Sequence, residues 1–82
     1  MGHIRLEKKV NKKIGIFLRK IRTEQGLTGT DVANILHISQ QQISRYERGI
    51  SNISLGMLFY LLTALNVNIH SLFHYLIDEF DE

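Results

Sequence analysis

The chain has 82 residues, 44% hydrophobic and 22% charged, with six glycines, no proline, no cysteine and a formal net charge of +2. So short a chain excludes a second independent core, and its apolar content excludes disorder along the whole length. The absence of cysteine excludes a disulfide framework and a thiolate zinc site, leaving packing as the source of stability.

The first element is rich in positive charge. Eight of the ten basic residues fall within the first 22 positions, opposed there only by Glu7, so that segment carries a net +7. Residues 1–13, including Lys8, Lys9, Lys12 and Lys13, are read as a basic N-terminal segment, an arm able to follow a polyanion. MGHIRLEKKV lacks the apolar centre of a signal peptide, so the expected location is the cytoplasm. Val10, Ile14, Phe17, Leu18 and Ile21 recur at the spacing of one helical face and predict a first helix that closes at Gly26.

Thr28-Gly-Thr-Asp31 follows, with Thr28 as cap and Asp31 reaching back, and predicts a second, short helix from Gly29 to about Leu36. It buries Val32, Ala33 and Leu36. His37 and Ile38 form the connection, and Ser39 caps a third helix, QQQISRYER, that ends before Gly49. Only Ile43 and Tyr46 give this helix an inward stripe, so most of its surface faces outward. Ser54 caps a fourth helix from Leu55 to Leu65, and Asn68 a fifth from Ile69 to about Phe80. The last five residues, 78–82, read DEFDE and form an acidic tail carrying −4; residues 14–77 are the domain proper.

From Gly49 through Ile77, 29 residues, there is no Asp, Glu, Lys or Arg. A membrane span is excluded because polar residues interrupt the run, whereas spanning needs about 20 predominantly apolar residues. Leu55, Met57, Leu58, Phe59, Tyr60, Leu61, Leu62, Ala64 and Leu65 nevertheless encircle the fourth helix, and the fifth adds more apolar bulk. So small a domain cannot bury all of it. Met57, Phe59, Tyr60, Leu72, Phe73, Leu76 and Phe80 are therefore expected at a homodimer interface.

Two short helices joined by a tight turn, the second capped by Ser and rich in Gln, Ser and Arg, form the helix-turn-helix pattern. Gln can make paired hydrogen bonds to adenine and Arg to guanine, so the third helix suits base-edge reading in the major groove of double-stranded DNA. Its N-terminal end would set Gln40, Gln41 and Ser44 nearest the bases, with Ser39 near phosphate.

The stretch LTGTDVANILHISQQQISRYERGISNISLGMLFYLLTALNVNIHSLF resembles the Cro/CI-type (XRE-like) helix-turn-helix regulators, over about Ile14 to Phe73. Its motifs are ISRYERG after a Ser-capped Gln-rich turn, a Ser-Leu start to the fourth helix and the closing ALNV. The SQQQISRYERG string also resembles regulators encoded in fimbrial operons that repress motility genes. The resemblance implies an all-α, compact five-helix lambda-repressor-like domain acting as a dimeric repressor on a near-palindromic operator, nucleoid-associated when bound. It implies that Gln40, Gln41, Ser44 and Arg45 face bases or adjacent phosphates, and that Arg22 and Glu47 form a partly buried ion pair. The family often has Gln where this chain has Gly29, so a phosphate brace on the second helix is missing. Thr28 and Thr30 can still donate there. Gln42, Arg48, Ser51, Asn52, Lys12 and Lys13 complete the expected phosphate contacts.

No nucleophile–base pair, phosphate-binding glycine loop or catalytic carboxylate pair stands out, so binding and not enzymatic chemistry is expected, with no cofactor. His70 and His74 have the i, i+4 spacing of two metal ligands but no third ligand nearby, and no metal is expected. The alternative function is an antitoxin or co-regulator whose fourth and fifth helices grip another protein. RNA binding is weaker, since the third helix lacks aromatic stacking platforms.

Overall fold

The computed structural model describes residues 2–80, with side chains for residues 5–80; Met1 and the acidic pair Asp81 and Glu82 lie outside the described residues. Five helices follow in chain order: α1 (Gly2–Glu24), α2 (Gly29–Leu36), α3 (Gln40–Glu47), α4 (Leu55–Ala64) and α5 (Ile69–Phe80). No strand occurs among the described residues, so the chain is an all-α, five-helix domain.

Each short helix starts where a side chain can take up its unpaired amides. The Asp31 N–H donates to Thr28 Oγ1 (3.0 Å) and the Thr28 N–H to Asp31 Oδ2 (2.8 Å), a reciprocal box at the start of α2. Ser39 Oγ accepts from the Gln42 N–H at 3.0 Å to start α3, and Ser54 Oγ accepts from the Met57 N–H at 3.1 Å to start α4. Asn68 Oδ1 accepts from the His70 N–H at 2.7 Å at the start of α5. The α2–α3 turn is closed by His37 in the left-handed conformation, φ 57°.

The core is one cluster drawn from all five helices, built around Leu18, Val32, Leu36, Ile43, Leu62, Leu65 and Leu72. α1 packs against α3 and α5, and α2 against α3 and α4, while α3 keeps Gln40, Gln41 and Arg45 exposed. Phe17 and Tyr75 stack tilted, ring centroids 5.4 Å apart, where α1 meets α5. No single helix is long and apolar enough to cross a membrane; α4 and α5 are bent by 112° relative to one another.

Two expectations are corrected. The basic N-terminal segment is not an arm ahead of the first helix: α1 begins at Gly2, and its lysines lie on the helix. Lys, Glu and Arg are good helix formers and no proline or cap interrupts them, so the helix continues through the segment. Leu72, expected at a dimer interface, is 0% exposed and belongs to the core of its own chain. Met57 and Leu76 also lean on that core, half-buried.

Candidate nucleic-acid interface

Only Ile43 on α3 is fully buried, with Tyr46 half-buried beside it, and these two anchor the helix to the core. Gln40, Gln41 and Arg45 are exposed and Ser44 is half-buried. Gln40, Gln41, Ser44, Arg45 and Arg48 line one shallow recess, so the four candidate base-reading residues share a face. Arg45 Nε donates to Ser51 Oγ at 3.0 Å, which ties the end of that face to the loop after α3. A Cβ at Gly29 would lie 3.6 Å from Gln40 Nε2, so the Gln40 amide sits beside the position where the family often carries Gln.

The face is held from behind by a forked ion pair. Arg22 Nε donates to Glu47 Oε2 at 2.6 Å and Arg22 Nη2 to Glu47 Oε1 at 2.9 Å, while Nη1 donates to the Leu27 carbonyl at 2.8 Å. Both side chains are largely out of water, 13% and 11% exposed. Hydrogen bonding to Glu47 raises the Arg22 pKa further above its already high ordinary value. The same glutamate that ends α3 thereby fixes that helix to α1 and to the α1–α2 turn.

Gly15 supplies a second fixing point. It lies on α1 against the last turn of α3, where a Cβ would stand 2.4 Å from the Glu47 carbonyl oxygen and 2.6 Å from that of Tyr46. Only a residue without a side chain allows the two backbones this close. A glycine inside an otherwise strong helical pattern is the one mark of this contact in the sequence, and its partner 31 residues on has no mark at all.

The expected phosphate contacts divide. Thr28 and Thr30 are exposed at the start of α2, Ser39 and Arg48 flank α3, and Gln42 lies on its first turn. Lys12 and Asn52 border a recess that also holds Arg48, and Asn52 Oδ1 accepts from Asn11 Nδ2. Lys13 is elsewhere: its Nζ pairs with Glu79 of α5 at 2.7 Å, on the side of α1 away from α3. A lysine so engaged, its pKa raised by that hydrogen bond, is corrected from a phosphate contact to a link between α1 and α5. Arg19, absent from the expected set, lines a recess with Gln40, Ser44 and Arg48.

Among the described residues no group of three or more His, Asp or Glu is arranged to hold a metal. His74 lies 3.7 Å from Asp78 one turn along α5, both exposed.

The sequence profile of the helix-turn-helix family matches residues 18–72, which takes in the core, the forked pair and the whole of α3. The chain belongs to the helix-turn-helix family. This helix-turn-helix protein is 32% identical over 65 residues to proteins called uncharacterized HTH-type transcriptional regulators in Rickettsia conorii and Rickettsia prowazekii. The match takes in 79% of the present chain but 52% and 50% of theirs, so the chain spans about half the length of these curated relatives. Among solved structures, the wild-type restriction-modification controller protein C.Esp1396I superposes with a TM-score of 0.76 at 30% identity, over 85% of this chain and 90% of that one. The tetramer of the same controller in complex with its natural 35 base-pair operator gives 0.77 at 29% identity, over 89% and 96%. The helix-turn-helix is thus what this chain shares with proteins named as transcriptional regulators.

Proposed function

We propose that the chain is a sequence-specific reader of double-stranded DNA, acting as a homodimeric repressor on a near-palindromic operator. One observation carries this: Gln40, Gln41, Ser44 and Arg45 share the outward face of α3, and three of them are left out of the packing. Gln and Arg on an exposed helix of groove-fitting width match the paired donors and acceptors of adenine and guanine edges. Thr28, Thr30, Ser39, Gln42, Arg48, Ser51, Asn52 and Lys12 are the groups that set its register on the phosphates. C.Esp1396I, a controller of the same fold, is known on its operator as a tetramer, which supports more than one copy per site here.

The dimer follows from what the fold leaves uncovered. Phe59 and Tyr60 on α4 and Phe73, Ile77 and Phe80 on α5 remain 38–59% exposed. A second copy related by a two-fold axis would cover them and set two α3 helices about one DNA turn apart. The narrower resemblance to fimbrial-operon regulators, carried by SQQQISRYERG, makes motility genes the proposed targets.

In vitro selection from a random duplex pool at near-physiological salt tests the reading. An enriched inverted repeat with half-sites about one helical turn apart is expected. Gln41→Ala should then cost about 1 to 3 kcal/mol at one base of each half-site and leave the others unchanged. Salt-sensitive binding without any enrichment would overturn sequence reading and turn attention to a second polypeptide on α4 and α5, as in an antitoxin or co-regulator.

A further inference from the structure

Resting on the reading of α3 as a major-groove helix, we propose that the first turns of α1, Arg5 to Lys12, are a second DNA-contacting element. They would grip the phosphodiester backbone flanking the half-site, with Glu7 limiting the affinity.

Arg5, Lys8, Lys12, Arg19 and Arg22 recur at three- and four-residue steps with Gly15 among them, and so lie along one side of α1. That side crosses the end of α3. Gly15 touches the Glu47 and Tyr46 carbonyls, and one turn earlier a Cβ on Gly49, at φ 72°, would stand 2.5 Å from Lys12 Cα. With Asn11 donating to Asn52, these contacts seat α1 on α3 and on the loop behind it.

The crossing spreads the charge to both sides of the reading helix. Arg19 shares a recess with Gln40, Ser44 and Arg48; Lys8 and Lys12 share another with Arg48 and Asn52. Arg48 borders both, so positive charge runs from the base-reading face onto the first turns of α1. Among the described residues none of Lys8, Lys12, Arg19 and Arg48 is in an ion pair, since Glu47 is taken by Arg22 and Glu79 by Lys13. Glu7 is the one acidic group in the second recess.

The ten residue steps from Arg5 to Gly15 rise about 15 Å, the axial length of roughly four base pairs. The element can therefore reach phosphates beyond those that α3 touches. Its occupant is a duplex flank: the surface is cationic, with Glu7 as the one acid in its recess, and is continuous with the groove-reading face.

The test compares the wild-type chain with Lys8→Gln/Lys12→Gln and with Glu7→Gln. The probes are a random-sequence duplex and the best duplex from the selection, the latter with long flanks or trimmed to the half-site edges. Gln preserves helix propensity, so circular dichroism should be unchanged. The double variant should lower the slope of log affinity against log salt by about 1.8 on both long duplexes, leaving their affinity ratio unchanged. Glu7→Gln should tighten both several-fold. Trimming should weaken the wild type more than the double variant, which keeps only Arg5 of the basic row on the flank. An unchanged slope, or an equal trimming cost for both proteins, would overturn the proposal. Failure of the underlying reading looks different: the wild type would show its full salt slope and no preference between selected and random duplex.

Discussion

Arg22 and Glu47 bear more of the fold than their place at the edge of a small core suggests. The guanidinium spends three of its five donors on two carboxylate oxygens and one turn carbonyl, a geometry that lysine could not reproduce. Glu47→Ala leaves an arginine with little water around it and nothing opposite. About 3 kcal/mol of stability should be lost, a large part of what a domain of this size has. We expect a lower melting temperature in that variant and loss of DNA binding as a consequence of unfolding. A melting temperature equal to that of the wild type would show that the fork holds nothing. Gly15 acts at the same place by the opposite means, through the side chain it lacks.

At the level of elements, the starts of α2 to α5 are legible in the sequence because a cap is a local event. Thr28 and Asp31, Ser39, Ser54 and Asn68 each act within three residues of themselves. Contacts between distant elements left no such mark. Nothing around Lys13 announces Glu79, and the apolar ring on α4 and α5 gave no means of separating Leu72, which faces inward, from Phe73, which faces water. The charge of the lysines before Ile14 suggests an arm, but their helix propensity carries α1 through them. The box at α2 also makes a pH prediction. The Thr28 N–H, and secondarily its hydroxyl, hold the Asp31 carboxyl below its ordinary value. A depressed folded-state pKa contributes stability above the unfolded value and loses it as the pH falls through the folded one. Asp31→Asn should therefore melt below the wild type at neutral pH, and the difference should close as the pH falls through the folded-state pKa of Asp31, which lies below its ordinary value.

For the molecule as a whole, the uncovered apolar surface of α4 and α5 and the uncovered charge along α1 and α3 define two kinds of contact. Phe59 and Phe73 are 47% and 51% exposed, so changing them should spare the core. Phe59→Glu/Phe73→Glu is expected to turn a dimer into a monomer by light scattering at tens of micromolar, with the melting temperature nearly kept. Operator affinity should drop steeply, because two linked half-sites reinforce each other. A wild-type chain that scatters as a monomer at that concentration would remove the dimer from the account.

The exposed position of Gln40, Gln41 and Arg45 has an evolutionary side. On the proposed reading these residues are the ones that touch DNA, and all three lie exposed outside the core. Substitutions there escape the stability threshold that purges most changes in a small domain. A lineage carrying this scaffold can therefore move to a new binding site in a few steps through intermediates that remain folded. Duplicated copies would diverge first in their targets and only later in their architecture.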